Sequence, residues 1–221
     1  MKENKDCLKE GEEMIRALYE KIDKVSTNAL HELMPVIGDY FPTNEGDCPN
    51  TVNRNLGNKF FGDLTQIEKI YKDSGKYRVK VKAMTIDWDK LHFFDKPKVL
   101  LWIYDMLSAR KHENPEMGRM KEILEFALIK INENYTKVSN ISDMLLKDVL
   151  TQPADCCNIN YNIKDEEAIC LCLDDFEQPE PIVKICKSEE DGKYQVHTTF
   201  RILEWDDLPP LEKSFLISQI K

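Results

Sequence analysis

The chain has 221 residues, of which 42% are hydrophobic and 32% are charged, and its formal net charge is −9 at pH 7. This length and apolar content fit one compact domain, and the acidic balance disfavours non-specific binding to nucleic acid. With only 8 glycines and 10 prolines, the composition excludes a low-complexity or disordered chain. No apolar run is long enough to span a bilayer, so we expect no membrane segment.

The chain has seven cysteines, an odd number that cannot all pair within one chain. Its N-terminus has no apolar signal-peptide segment. These two features indicate reduced thiols and predict a cytoplasmic or nuclear protein. Two glycosylation triplets, which begin at Asn134 and Asn140, point the other way. A secreted helical ligand whose signal peptide has been removed is therefore kept as an alternative.

Two helices are predicted before the first strand. Residues 8–41 have apolar side chains at helical spacing, and Pro35 and Gly38 should kink or end this helix. Residues 51–73 predict a second helix, which the Asp-Ser-Gly sequence at its end should stop.

The next segment, 76–86, alternates between apolar and basic residues, which is typical of a strand with one solvated face. A third helix is expected to begin at Asp95, and a fourth at Asn114 and the proline after it. A short fifth helix is expected over roughly 141–150.

The C-terminal part changes to β structure. Residues 168–173 are too short a run to decide between strand and helix. Residues 182–186 and 194–202 predict a hairpin around a Glu-Glu-Asp-Gly turn, and a last short helix is expected at 211–220.

These elements predict an α+β fold in a single domain over 1–221. Its helical part, about 8–150, would form a bundle of about five helices. This bundle would pack with a small, mostly antiparallel sheet and a short C-terminal helix. We expect the sheet to join strand 76–86 to the hairpin 182–202 of the β-rich tail, about 165–221. We find no internal repeat.

No sequence motif for catalysis is present. The chain lacks a Gly-x-Ser-x-Gly elbow, a phosphate-binding glycine loop, and histidine or cysteine spacings typical of zinc sites. We therefore expect no catalytic residue, metal site or cofactor. Acidic pairs beside Trp88 and Trp205, and the pair Asp174-Asp175, are predicted to be solvated surface, with cation binding as the alternative.

One strand face is basic. Lys76, Arg78, Lys80 and Lys82 would lie about 6.6 Å apart along it. Such a strip could bind an anion, nucleic acid or an acidic protein. The aromatic side chains of nucleic-acid-binding sheets are missing from this face, and lysines also protect exposed strands from aggregation.

The apolar stripe of the first helix could contact a partner helix or a second copy of the chain, with packing into the core as the alternative. Its candidate contact residues are Ile15, Leu18, Ile22, Val25, Leu30, Met34, Ile37 and Phe41.

The segment from Leu30 to Phe41 resembles the short death-promoting interaction helix of apoptosis regulators. The resemblance consists of four apolar anchors (Leu30, Met34, Ile37 and Phe41) with a Gly-Asp pair after the third, and Pro35 departs from it. It implies a helix that docks into a partner's groove. The alternative is an ordinary helix end with core anchors.

Together these features predict a non-enzymatic intracellular protein-interaction module, such as an adaptor, complex subunit or regulator. Its partners would be proteins, with nucleic acid an unlikely partner. An anion or nucleic-acid binder that uses the basic face of residues 76–82 is the second hypothesis.

Overall fold

A computed structural model describes residues 2–37, 40–42, 67–81, 84–91, 93–108, 115–159, 170–171 and 180–220. The statements below refer to these residues. The predicted α+β class is confirmed, since the described residues form helices and two antiparallel sheets. None of the helices in these ranges combines the length and apolar character needed to cross a membrane.

Four α-helices lie in the described ranges. They are α1 (Lys2–Ile37), α2 (Asp95–Ser108), α3 (Pro115–Val149) and α4 (Pro210–Ser218). The predicted break within 115–150 is wrong, because α3 is continuous over 35 residues. Val138 and Ser142 lie on its buried face, and the Ser142 hydroxyl donates to the Val138 carbonyl at 2.9 Å. The polar residues between the two predicted helices therefore do not interrupt the helix.

The central sheet contains four strands in the order β1 (Tyr40–Pro42), β2 (Ile67–Asp73), β3 (Lys76–Val81) and β4 (Met84–Asp87). All neighbouring pairs are antiparallel. A short 3₁₀ helix, Trp88–Lys90, follows β4 directly.

Two predictions in this region are wrong. Residues 67–73 form a strand and not the end of a helix, while 51–66 lie outside the described residues. Ser74 and Gly75 have φ angles of 52° and 80°, the pair of positive values that a tight hairpin turn between β2 and β3 requires. The predicted single strand 76–86 is itself a hairpin of β3 and β4.

The terminal sheet has the strand order β5 (Cys156–Asn158), β7 (Glu180–Lys187), β8 (Tyr194–Thr198) and β9 (Ile202–Glu204). A two-residue strand, β6 (Cys170–Leu171), also pairs with β7. The predicted C-terminal hairpin is confirmed, although 194–202 contains a turn between β8 and β9. A second 3₁₀ helix, Trp205–Asp207, follows β9. The expectation that strand 76–86 joins this sheet is wrong, because the two sheets have separate strand orders.

The chain divides into two compact units. The central unit is Tyr19–Asn134 and holds the central sheet. The terminal unit is Met1–Leu18 with Tyr135–Lys221 and holds the terminal sheet. Both divisions fall inside a long helix, α1 or α3, so each unit contains parts of both. That residues 1–221 form a single domain stays a prediction.

The statement that the chain has no internal repeat is wrong, because both units have the same order of elements. Each has the second half of a long helix, then an antiparallel sheet, a 3₁₀ helix that begins with Trp, and a shorter helix. The strand pairing has the same irregularity in both sheets. The register shifts between Ile67 and Lys69 in β2, and it shifts between Ile182 and Lys184 in β7.

The strand register aligns the two sheets residue by residue and reveals a weak sequence repeat. Ile-x-Lys-Ile-x-Lys begins at Ile67 and at Ile182, and Gly-Lys-Tyr-x-Val begins at Gly75 and at Gly192. An acidic residue then ends the fourth strand of each sheet, and Trp and Asp follow it directly. We therefore describe the two units as two copies of one structural motif.

The long helices align in the same way. Ile15, Ile22, Ser26 and Leu30 of α1 correspond to Ile131, Val138, Ser142 and Leu146 of α3, and all eight are buried. The two buried serines make the same bond, since Ser26 donates to the Ile22 carbonyl at 2.9 Å as Ser142 does to Val138. These eight residues of the two long helices are therefore core.

Cys156 and Cys186 form a disulfide between β5 and β7. The expectation of reduced thiols is wrong for this pair. In the described residues Cys7 and Cys157 are free. The register position of the disulfide corresponds to Tyr40 and Tyr71 in the central sheet. The bridge is therefore a feature of one copy and not of the shared motif.

We predict that substitutions at Gly11 and Leu145 in the terminal unit have non-additive effects on the unfolding free energy. A Cβ atom at Gly11 would collide with the Leu145 side chain, whereas the corresponding positions of the central unit are both alanine, Ala127 and Ala29. Gly11→Ala should destabilise the chain by about 1 kcal/mol, since overpacking outweighs the gain in helix propensity. In the Leu145→Ala background the same change should instead stabilise by about 1 kcal/mol. Urea unfolding of the four proteins measures this, and additive effects would contradict it.

Candidate functional site

A buried lysine with aromatic and acidic neighbours is a conventional candidate for catalysis, and the central unit contains one. The Lys96 side chain is 6% exposed, and its Nζ lies 2.7 Å from Asp23 Oδ1. The same ammonium lies 5.6 Å from the centre of the Trp88 ring. The Trp88 indole N–H donates to Thr27 Oγ1 at 3.1 Å.

The terminal unit contains the same cluster. Lys213 is 5% exposed, its Nζ lies 3.1 Å from Asp143 Oδ1, and it lies 5.7 Å from the centre of the Trp205 ring. The Trp205 indole N–H donates to Asp143 Oδ1 at 2.7 Å. Asp143 therefore contacts the ammonium and accepts the indole hydrogen bond by itself, whereas in the central unit Asp23 contacts the ammonium and Thr27 accepts from the indole.

Each lysine follows its tryptophan by eight residues, and in both units the acid lies on a long helix. The cluster thus ties the end of the sheet and the shorter helix to the long helix. Since both copies build it in the same place, we interpret it as part of the shared motif. A site specific to this chain is better sought where the copies differ.

The predicted basic strip lies on the outer face of the central sheet, opposite to buried Val79 and Ile70. Lys76 is exposed, and Arg78 forms ion pairs with Asp73 at 3.0 Å and Asp87 at 3.3 Å. Lys80 belongs to the same face, and Lys82 lies outside the described residues.

The expectation that this face lacks aromatic residues is wrong. Tyr71 is the cross-strand partner of Arg78, so the two side chains share a face. Lys69, the partner of Lys80, lies over the Tyr71 ring with its Nζ 4.8 Å from the ring centre.

The candidate partner face of α1 is mostly buried within the chain. Ile15, Leu18, Ile22, Leu30 and Met34 are each at most 7% exposed, which agrees with the core alternative, and Val25 is half-buried. Ile37 ends α1 and Phe41 lies in β1, so the four anchors of the death-helix resemblance do not share one helix. Contact of this face with a partner stays a prediction.

Large apolar side chains are exposed on the terminal sheet. Val183 in β7 is 49% exposed, Ile202 in β9 is 56% exposed, and Phe200 in the β8–β9 turn is 80% exposed. Their strands lie at most two apart, which places them within about 10 Å in the direction across the sheet. We call Val183, Phe200 and Ile202 the apolar surface.

The turn that presents Phe200 is held by hydrogen bonds. The Thr198 hydroxyl accepts from the backbone N–H groups of Phe200 at 3.3 Å and Arg201 at 3.0 Å, and it donates to the Arg201 carbonyl at 2.9 Å. The Thr198 N–H also donates to that carbonyl at 2.9 Å. The exposed ring is therefore displayed by an ordered turn.

Register alignment shows what the central sheet has in place of the apolar surface. By sequence alignment the residues that correspond to Val183, Phe200 and Ile202 are Glu68, Ala83 and Thr85, of which Ala83 lies outside the described residues. The shared motif therefore does not need large apolar residues there.

His197 lies on β8 between Lys184 of β7 and Ile202 of β9, and it is the cross-strand partner of both. Burial and the nearby Lys184 charge lower the pKa of His197 from its ordinary value of 6.5. Both effects oppose protonation, so the neutral form of the His197 ring is favoured at neutral pH.

The acidic pairs and the glycosylation triplets predicted from the sequence lie at separate positions. Asp87 is paired with Arg78, Asp206 and Asp207 are exposed, and Asp174-Asp175 lies outside the described residues. Among the described residues, no three His, Cys, Asp or Glu side chains are grouped to hold a metal ion. Asn134 is buried and donates to the Lys130 carbonyl at 2.8 Å, whereas Asn140 is exposed.

Sequence reasoning missed the apolar surface, although a signal for it was present. Alignment of the two Gly-Lys-Tyr-x-Val segments would have revealed the repeat and matched Phe200 with Ala83 and Ile202 with Thr85. The insertion of two residues in the β7–β8 turn hides this match from inspection.

Asp143→Ala should cost about 3 kcal/mol of unfolding free energy, because it leaves the buried Lys213 ammonium and the Trp205 indole without their acceptor. Asp23→Ala should cost less, since Thr27 still accepts from Trp88. Urea unfolding measures both, with Asp148→Ala, an exposed acid of α3, as the control. Equal losses in all three variants would contradict the assignment.

The unfolding free energy should fall as the pH decreases from about 6.5 through the lowered pKa of His197. The unfolded chain binds a proton in this window that the folded chain resists, so acid favours unfolding. Urea unfolding between pH 7.5 and 5 measures the slope, and His197→Gln should flatten it. An unchanged slope in that variant would contradict the prediction.

No protein-family model, curated protein sequence or solved structure matches this chain. Its function must therefore be inferred from its own geometry, and the most informative part of that geometry is the set of positions at which the two copies differ.

Proposed function

We propose that the chain is a non-enzymatic protein-interaction module whose contact site is the apolar surface of the terminal sheet. The observation that supports this most directly is the exposure of Val183, Phe200 and Ile202 in one copy of a motif whose other copy is polar or small there. Exposed apolar clusters of this kind mark contact sites for other proteins.

The chemistry of the surface is suited to a protein partner. An aromatic ring at the tip of an ordered turn acts as an anchor that fills a pocket, and it loses little conformational entropy on binding. Lys184 and Glu204 are half-buried on the same sheet and provide polar groups around the apolar residues.

The compartment is part of this proposal. The Cys156–Cys186 disulfide favours an oxidising environment, because disulfides seldom persist in the cytosol. We therefore prefer the secreted alternative to a cytoplasmic or nuclear location, while the interaction role is the same in either case.

The double variant Phe200→Ala, Ile202→Thr should weaken partner binding at least tenfold, because it removes the anchor and its neighbour. Both replacements copy the corresponding residues of the central sheet, so the unfolding free energy should change by less than about 0.5 kcal/mol. Binding is measured by photo-crosslinking in native extract, with the crosslinker at Lys184, followed by quantitative mass spectrometry of the captured protein.

The matched control is Phe126→Ala, Ile129→Thr on α3, since these two residues are also an aromatic and an isoleucine, 65% and 56% exposed. The control should capture the same protein as the unmodified chain. Equal capture by all three proteins, or a loss confined to the control, would refute the proposal.

A further inference from the structure

We propose that the partner of the apolar surface binds by adding an extended, basic segment to β9, the edge strand of the terminal sheet. This inference rests on the proposed function, because it names the part of a partner protein that the surface holds. β9 ends the strand order β5-β7-β8-β9, so one side of it has no neighbouring strand within the described residues. Ile202 lies on β9 and is 56% exposed, which makes this edge continuous with the apolar surface.

The backbone groups of Ile202 and Glu204 point away from the rest of the sheet. The Thr198 N–H donates to the Arg201 carbonyl at 2.9 Å, which makes these two residues a hydrogen-bonded pair. Bonded and non-bonded pairs alternate along antiparallel strands, so Leu203 bonds to β8, whereas Ile202 and Glu204 direct their N–H and C=O groups outwards. Within the described part of the chain these outward groups have no hydrogen-bond partner.

The outward groups of β9 select an extended backbone. Two residues offer a partner one N–H donor and one C=O acceptor each, in a row along the strand. A helix cannot match this row, because its own backbone groups already bond to each other. An extended segment can, and addition of a strand to an exposed sheet edge is a common mode of peptide recognition.

The corresponding edge of the central sheet is protected. Asp87 of β4 corresponds to Glu204, and its carbonyl accepts from the Leu91 N–H at 3.2 Å. The Lys90 ammonium lies 3.9 Å from the Asp87 carboxylate, and lysines beside an edge protect it from strand addition. The terminal sheet has Asp207 in place of Lys90. The unprotected edge is therefore a feature of one copy and not of the shared motif.

The charge beside the edge favours a basic segment. Glu204 lies at the end of β9, and the exposed residues Asp206 and Asp207 follow it in the 3₁₀ helix. Arg201 lies before the other end of the strand. Opposite charges favour pairing between neighbouring strands, so the added segment should carry Lys or Arg beside Glu204 and an apolar side chain beside Ile202.

The test uses a dye-labelled synthetic peptide in which valine and threonine alternate after two N-terminal lysines. Fluorescence anisotropy measures its binding to the full-length chain. A second peptide has two glutamates in place of the lysines and should bind more weakly, because it repels the acidic end of β9.

The variant Glu204→Pro removes the outward N–H, and proline fits there because Glu204 has a φ angle of −72°. It should bind the lysine peptide roughly tenfold more weakly than Glu204→Ala, which loses the same carboxylate but keeps the N–H. The matched control is Asp87→Pro against Asp87→Ala, since Asp87 has a φ angle of −64° on the other sheet. These two variants should bind within about twofold of each other. Circular dichroism establishes that each variant is folded.

Peptide binding that is weakened in Glu204→Pro relative to Glu204→Ala supports the proposal. Absence of peptide binding, equal affinities of these two variants, or tighter binding of the glutamate peptide would overturn it. Self-association in sedimentation velocity that Glu204→Pro abolishes and Glu204→Ala does not would also overturn it, and would make a second copy the occupant. The crosslinking experiment with Phe200→Ala, Ile202→Thr decides the proposed function separately, because that double variant keeps every N–H group of β9.

Discussion

The pairing of a buried lysine with a carboxylate on a long helix is the interaction on which each unit depends. An ammonium cannot be buried without an acceptor, so Lys96 and Lys213 fix the positions of Asp23 and Asp143 against the tryptophan that ends each sheet. The tryptophan in turn directs its indole N–H to the same helix. The sheet, the 3₁₀ helix and the shorter helix thereby share one anchor point in each copy.

Because this anchor and the buried stripe of each long helix maintain the motif, the outer faces of the two sheets were able to diverge. Arg78 and Lys80 of the central sheet correspond to Gln195 and His197, while Ile202 and Phe200 of the terminal sheet correspond to Thr85 and Ala83. Residues shared by the copies serve folding, and residues that differ are the candidates for function. The disulfide also differs between the copies. It occurs in the terminal sheet, and the central sheet has Tyr40 and Tyr71 at the corresponding positions.

Local patterns predicted much of the secondary structure correctly. The apolar stripe of α1, the start of α2 at Asp95 and the turn before Tyr194 all follow from residues that are close together in the chain. The failure at residues 67–73 occurred where a helical spacing and a strand pattern coincide. Ile67 and Tyr71 are four residues apart, and only pairing with β3 makes them part of a strand.

The sequence by itself determined the α+β class, the acidic charge, the amphipathic helices and the alternation of Lys76, Arg78 and Lys80 on one strand face, since these depend on neighbours in the chain. The tertiary structure alone decided which residues meet across long separations. Cys156 with Cys186, Lys213 with Asp143 and the separation of the strands into two sheets all depend on chain reversals through turns and on burial. Such contacts arise from packing and not from local propensity, so no local pattern reports them.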